Sequence, residues 1–383
     1  MSWHLFHQTA IGGSHRLAHL PCQDHAVSED LGWARIVIVA DGHGSRRHFR
    51  SERGSRLACT AALEAVKELL EALPEGESPS VLELETLKER ILERWREAVF
   101  EDAAEDPWTW EELSEAASRM TEEELERLRG GAMSYVPYGS TLVAGFATDA
   151  FWAGVQIGDG FLVTMDGEGN YLWPMPESRI NQGNRTASLC MGAPMAEFRH
   201  CLGTGPITGL AVCTDGIEKA FPPMGEKVAR FLHWLWLAAQ EEPEEAQPLL
   251  ASYAQRVADR SAVKDDVGFA VMADTEAEDV PPHPTRQQLD RELHQAAAQL
   301  EELESVIDYT RRQLTGAASP GEAEQLQHVL DRRLAERSAL QERVQENRAE
   351  GPEDPQTESG APEAEPPALP APAEAPEPGD LPD

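Results

Sequence analysis

Residues 36–45 read IVIVADGHGS: four β-branched residues and an alanine, then an aspartate, then two glycines flanking a histidine. A run of this kind, closed by glycine, is a buried strand. The strand ends at Asp41, so the carboxylate projects rigidly off the edge of a sheet. Gly42 lets the backbone turn there and leaves its carbonyl within reach of a bound ion. The pattern returns downstream as GVQIGDG with Asp159, LAVCTDG with Asp215 and VKDDVGFAV with Asp265 and Asp266. Carboxylates that converge without His or Cys at ligand spacing suit hard cations such as Mg²⁺ or Mn²⁺, not zinc.

Working outward, strands are expected at Trp33–Ala40, Ser140–Phe146, Phe151–Ile157, Phe161–Met165, Gly209–Cys213 and Val267–Val271. Helical periodicity fills two blocks. The first runs from about Ser51 to Leu128, where Thr121 and Glu124 have capping-box spacing before TEEELERL. The second runs from about Glu226 to Val257, where Phe231, Leu232, Trp234, Leu235 and Trp236 are read as a buried face. Strands on both sides of a helical block, instead of alternating with single helices, argue for a layered α+β fold.

The chain has 383 residues, more than one ordinary core needs, so one large domain with appendages is expected. Lys+Arg of 33 against Asp+Glu of 68 gives a formal charge of −35. That charge repels nucleic acid and anionic membrane, which bind cationic stripes. The first residues carry no basic segment leading into an apolar run, and no apolar stretch reaches the roughly 20 residues that span a bilayer. Five cysteines, at 22, 59, 190, 201 and 213, include no CxxC pair. Reduced thiols in a cytoplasm are the expectation, and all five read as core or near-core residues. None has an arginine six positions later, as a thiolate-based phosphatase would require.

Composition divides the chain into a mixed region over 1–275, an acidic proline-containing linker over 276–285, a helical region over 286–348 and a tail over 349–383. In the helical region apolar residues fall at 289, 293, 296, 300, 303 and 307, a heptad spacing. Gly316–Gly321 interrupts it, and a second helix carries Leu326, Leu330, Leu334, Leu340 and Val344. An antiparallel hairpin is the simpler reading, and a self-associating coiled coil the sharper one. The Pro-, Ala- and Glu-rich tail cannot bury enough apolar surface to offset its ordering entropy, so disorder is expected there.

The order of the motifs is more specific than any one of them. PCQDHA with Asp24 comes first, then ADGHGS with Asp41, YGSTL at Tyr138–Leu142, QIGDG, CTDG and KDD. This series resembles the PPM-type (type 2C) metal-dependent protein phosphatases over roughly residues 8–272. The resemblance implies an α–β–β–α sandwich with two Mn²⁺ or Mg²⁺ ions in a cleft at one end of the sheets. It makes Asp41 the acid that bridges both ions and the Gly42 carbonyl a ligand of one. Asp215 and Asp265 become carboxylates of the other, Asp24 completes the site, Asp266 neighbours it, and Asp159 holds a third, weaker ion. It makes His43 a general acid for the leaving oxygen.

The physics of the reaction agrees. Two cations about 3.5–4 Å apart make water nucleophilic near neutral pH and cancel charge on the phosphoryl group, so no protein nucleophile is required.

The chain also departs from the pattern. Relatives place a phosphate-gripping arginine five residues before the acid matching Asp24, where this chain has His19. The replacement candidates are His15, Arg16, His19 and the cluster Arg46, Arg47 and Arg50, for which a solvated helix start is the plainer reading. Gly160 and Phe161 stand where Ser-Arg is frequent, and Lys219 where an acid is frequent. Both bear against the third ion. The segment SRINQGNRTASLCMGAPM, between Gly167 and Thr208, matches a flap beside the cleft.

The function expected is a cytoplasmic protein serine/threonine phosphatase that opposes a cognate kinase, with self-association through 286–348 as a further expectation. The alternatives are a catalytically weak or inactive scaffold of the same fold and a phosphatase for a small metabolite.

Overall fold

The apolar run before Asp41 forms a strand buried at every residue, Arg35–Ala40, inside a five-stranded antiparallel sheet. The computed structural model describes residues 2–176, 178, 186–221, 226–261, 264–280, 282, 300, 303–315, 326–334, 337, 338 and 341. The chain enters through β1 (Trp3–Ala10), α1 (Gly13–Ala18), β2 (His25–Asp30) and β3 (Arg35–Ala40). A helical block follows: α2 (Ser51–Ala72), α3 (Val81–Glu105), α4 (Trp110–Ala116) and α5 (Glu122–Arg129). Then come β4 (Leu142–Ala147), β5 (Trp152–Ile157), β6 (Phe161–Met165), β7 (Tyr171–Leu172), β8 (Arg199–Gly203) and β9 (Gly209–Cys213). The domain closes with α6 (Asp215–Ala220), α7 (Glu226–Gln240), α8 (Pro243–Arg260) and β10 (Val267–Asp274).

One sheet has the order β1-β10-β9-β6-β7 and the other β2-β3-β4-β5-β8, and the paired strands are antiparallel. The sheets face each other across an apolar layer that contains Val37, Val39, Val143, Leu162, Leu210, Val212 and Met272. Helices α2 and α3 cover the outer face of the second sheet, and α7 and α8 that of the first. The result is the four-layer α–β–β–α sandwich that the motif order implied.

The alternation of strands β3 and β4 explains why both faces are apolar. Ile36, Ile38 and Ala40 turn toward α2 and α3, while Val37 and Val39 turn toward the other sheet. Trp95 of α3 is fully buried, and its indole N–H donates to the Gly54 carbonyl of α2 at 3.1 Å, which locks the two helices together.

Helix starts follow local chemistry. Thr121 and Glu124 form the expected capping box, and Ser80 with Glu83 and Thr109 with Glu112 form two more. On α7, Phe231, Leu232, Leu235 and Trp236 are buried, while Trp234 stays half-buried and stacks on Tyr253 of α8 at 3.7 Å between centroids.

The chain divides into two compact units, Met1–His283 and Pro284–Asp383. In the first, the start of the expected linker is tied down. The Gln240 amide donates to the Asp274 and Ala277 carbonyls, and the His233 ring nitrogen Nε2 lies 3.0 Å from Asp279. In the second, residues 303–315 and 326–334 are helical, with Ile307 and Leu330 buried. The interruption at 316–321 and the tail at 349–383 lie outside the described residues. No helix among the described residues is long and apolar enough to cross a membrane.

Candidate metal centre

Three strand ends deliver the carboxylates. Asp41 follows β3, where its backbone is clasped to β4: the Asp41 N–H donates to the Thr141 hydroxyl (3.0 Å) and the Thr141 N–H to the Asp41 carbonyl (2.8 Å). Asp159 sits in the turn between β5 and β6. The Gln156 amide holds that turn from inside by donating to the Gly158 and Gly160 carbonyls, and Arg199 of β8 adds a bond to Gly158 at 2.6 Å. Asp215 follows β9 and opens α6.

The three meet. One carboxylate oxygen from each of Asp41, Asp159 and Asp215 lies within 4.8 Å of the others. Asp215 is only 8% exposed, and its Oδ1 is buried without a hydrogen-bond partner among the described residues. A buried, unpartnered oxygen on a carboxylate grouped with two more acids is costly unless a cation completes it. The residues present therefore fit a hard divalent ion.

Electrostatics carries the same message. Burial and the charges of Asp24, Asp215, Asp265 and Asp159 push the Asp41 carboxyl well above the usual carboxylate range. Burial and the Asp159 charge push Asp215 up to about 7, against the pull of Lys219.

Asp24 is buried, and its Oδ2 accepts the Thr214 hydroxyl at 2.7 Å, while that hydroxyl accepts the Gly268 N–H at 2.8 Å. Burial and Asp266 raise the Asp24 pKa strongly. Gly42 has no room for a side chain, since a Cβ would stand 2.8 Å from the Gln23 and Ser51 carbonyl oxygens.

Asp265 lies apart from the close group. Its Oδ2 is 2.6 Å from Lys219 Nζ, which is also 2.6 Å from Asp215 Oδ2. Burial would lower the Lys219 pKa, but the two carboxylates outweigh it and raise it.

Asp266 is fully engaged by protein donors. Its Oδ1 accepts the Gly12 N–H (2.6 Å), and its Oδ2 accepts the Gln23 N–H (2.6 Å) and His15 Nδ1 (2.8 Å).

His43, two residues after Asp41, is half-buried, with its ring 4.9 Å from that of His48. Burial pushes its pKa down to about 4, so the ring is neutral at neutral pH.

The cationic candidates separate clearly. His15 is held by Asp266, Arg16 pairs with Asp259 of α8, and Arg47 lies 3.2 Å from Glu124. Arg50 is 3% exposed; it bonds Glu112, the Tyr138 hydroxyl and the Asp106 and Pro107 carbonyls, and stacks on Trp108. It is a structural clamp. His19 is exposed and ends α1 in the left-handed conformation (φ 55°). Arg46, in the 3-10 turn Arg46–His48 directly after the Asp41 loop, is exposed and has no ion pair among the described residues.

Sequence reading missed Thr141, Thr214 and Thr186, whose hydroxyls bond Asp41, Asp24 and Asp159; the Thr186–Asp159 distance is 2.6 Å. The first two lie within the quoted YGSTL and CTDG motifs, so the signal was present. Residues 179–185 of the expected flap lie outside the described residues, and Thr186 stands at their edge. All five cysteines are free, and burial raises each thiol above its ordinary pKa, so none is poised as a nucleophile.

The sequence profile of the protein phosphatase 2C family matches residues 11–253. No curated protein sequence matches the chain. Among solved structures, a bacterial serine phosphatase is 15% identical, covering 72% of this chain and 99% of that chain with a TM-score of 0.45. The serine/threonine phosphatase Stp1 from Staphylococcus aureus is 13% identical, covering 71% of this chain and 95% of that chain with a TM-score of 0.44. A C. elegans sex determining protein is 16% identical, covering 71% of this chain and 65% of that chain with a TM-score of 0.45.

Proposed function

Because the chain belongs to the protein phosphatase 2C family and is a phosphatase, we propose that it removes phosphate from protein serine and threonine side chains in a reaction dependent on Mn²⁺ or Mg²⁺. Two observations carry this reading: the close grouping of Asp41, Asp159 and Asp215, and the buried Asp215 Oδ1 that has no hydrogen-bond partner among the described residues. Asp41, Asp159 and Asp215 would hold one ion. Asp24, whose charge acts on Asp41, and the Gly42 carbonyl would serve a second. When bound, such ions make water nucleophilic near neutral pH and neutralise charge on the phosphoryl group.

The chain's own groups supply the rest. Thr141 and Gln156 fix two of the acids, so the carboxylates need no reorganisation when substrate arrives. Arg46 would meet the substrate phosphate: it is exposed directly after the Asp41 loop, whereas Arg47 and Arg50 are already paired. His43 rests neutral and would serve the leaving oxygen only once a phosphate dianion beside it draws in a proton. The natural opponent of this activity is a protein kinase acting on the same serine or threonine.

The test is hydrolysis of p-nitrophenyl phosphate and of a phosphothreonine peptide by the full chain, with Mn²⁺ or Mg²⁺ and with a chelator. Turnover that appears only with metal is expected. Turnover undiminished by chelator would refute the metal dependence, and preference for sugar phosphates over the peptide would refute the substrate class.

A further inference from the structure

Lys219 bridges two of the carboxylates. It lies four residues after Asp215 on α6, one helical turn along, so its side chain reaches back over the first turn. Its ammonium is 2.6 Å from Asp215 Oδ2 and 2.6 Å from Asp265 Oδ2. The other oxygen of Asp265 accepts the Asp266 N–H at 3.1 Å, so both Asp265 oxygens are engaged by the protein. Asp215 Oδ1, by contrast, has no protein partner among the described residues. The two acids thus differ: Asp215 keeps an oxygen with no protein partner among the described residues, whereas both oxygens of Asp265 have one.

We propose that Lys219 is a tethered cation that takes the place of a divalent ion between Asp215 and Asp265, so that Asp265 binds the ammonium and not a metal. The proposal rests on the metal-dependent reading above and specifies its ion count. An ammonium and a divalent ion compete for the same pair of oxygens, Asp215 Oδ2 and Asp265 Oδ2, because each needs their negative charge and only one fits between them. Unlike a metal, the ammonium cannot be removed by a chelator. It therefore neutralises part of the cluster in the metal-free protein. It cannot act as a Lewis acid, so it adds no activated water. Its consequence is a protein that holds fewer metals than its acids would allow.

The experiment is Mn²⁺ titration of the full chain by isothermal calorimetry, comparing wild type with Lys219→Met, Lys219→Asp and Asp265→Asn, each checked for folding by circular dichroism. Both Lys219 variants are expected to bind one more Mn²⁺ per chain than wild type. They should also melt several degrees lower in chelator, because Asp215 and Asp265 then face each other without a cation. Asp265→Asn is expected to leave the Mn²⁺ stoichiometry unchanged, and it decides the matter even if the lysine variants fail to fold. Loss of a Mn²⁺ on Asp265→Asn, or an unchanged count in folded Lys219 variants, would overturn the proposal. Wild type that binds no Mn²⁺ while the lysine variants do would support the tethered cation and defeat the metal-dependent reading. Absence of binding in every form would defeat both.

Discussion

His15 Nδ1 lies 2.8 Å from Asp266 Oδ2, and both residues are buried. Together with the Gly12 and Gln23 N–H groups on the same carboxylate, this contact fastens the loop after β1 and the segment carrying Asp24 to the loop before β10. The clasp thus ties the segments that carry Asp24 and Asp265 to each other.

The clasp has a pH signature. The Asp266 bond outweighs burial and raises the His15 pKa above its ordinary 6.5. Burial of Asp266 is outweighed by His15, Gln23 and Gly12, which hold it below its ordinary 3.8. The His15 contribution is therefore complete below 6.5 and fades as pH rises through the folded value. That of Asp266 is present above 3.8 and fades as pH falls through its folded value. His15→Asn should cost about 2 kcal/mol near pH 6 and clearly less near pH 8.5, measured by thermal unfolding in chelator. An equal cost at both pH values would show that the bond is not charge-assisted.

Two arginines four residues apart should behave oppositely. Arg46 is exposed and unpaired among the described residues, so Arg46→Ala should lower kcat/KM for phosphopeptide while leaving the melting temperature unchanged. Arg50 is buried against Glu112, so Arg50→Ala should destabilise the fold by about 3–5 kcal/mol. Steady-state kinetics and denaturant melts separate the two effects. An unchanged kcat/KM in Arg46→Ala would remove it from the substrate's reach.

The chain made its interior legible and concealed its rims. The six strands read from sequence became β3, β4, β5, β6, β9 and β10, all interior to their sheets. The four that were missed, β1, β2, β7 and β8, are the four sheet edges. An edge strand needs fewer apolar residues and tolerates charge, so HAVSED and RHCLG lack the hydrophobic signature that IVIVA carries. The site followed the same logic. Aspartates at the ends of interior strands were visible because glycine marks the turn. Whether a given acid faces an ion, a lysine or a histidine depends on packing between distant segments. The pairing of Lys219 with Asp265 and of His15 with Asp266 therefore emerged only from the fold.

Function and stability should oppose each other at Asp41. Burial and four neighbouring acids push its carboxyl well above the usual range, so its charge destabilises the metal-free fold. Asp41→Asn should abolish phosphatase turnover yet raise the melting temperature in chelator at pH 8. A variant that loses activity and stability together would show that the carboxylate is needed for folding.

The most direct test of the metal centre is a crystal of the full chain grown with Mn²⁺ and measured at the manganese absorption edge. The expected result is an anomalous peak bounded by Asp41, Asp159 and Asp215, with the Asp215 Oδ1 among its ligands. Anomalous density elsewhere, or none among these three carboxylates at millimolar Mn²⁺, would contradict it.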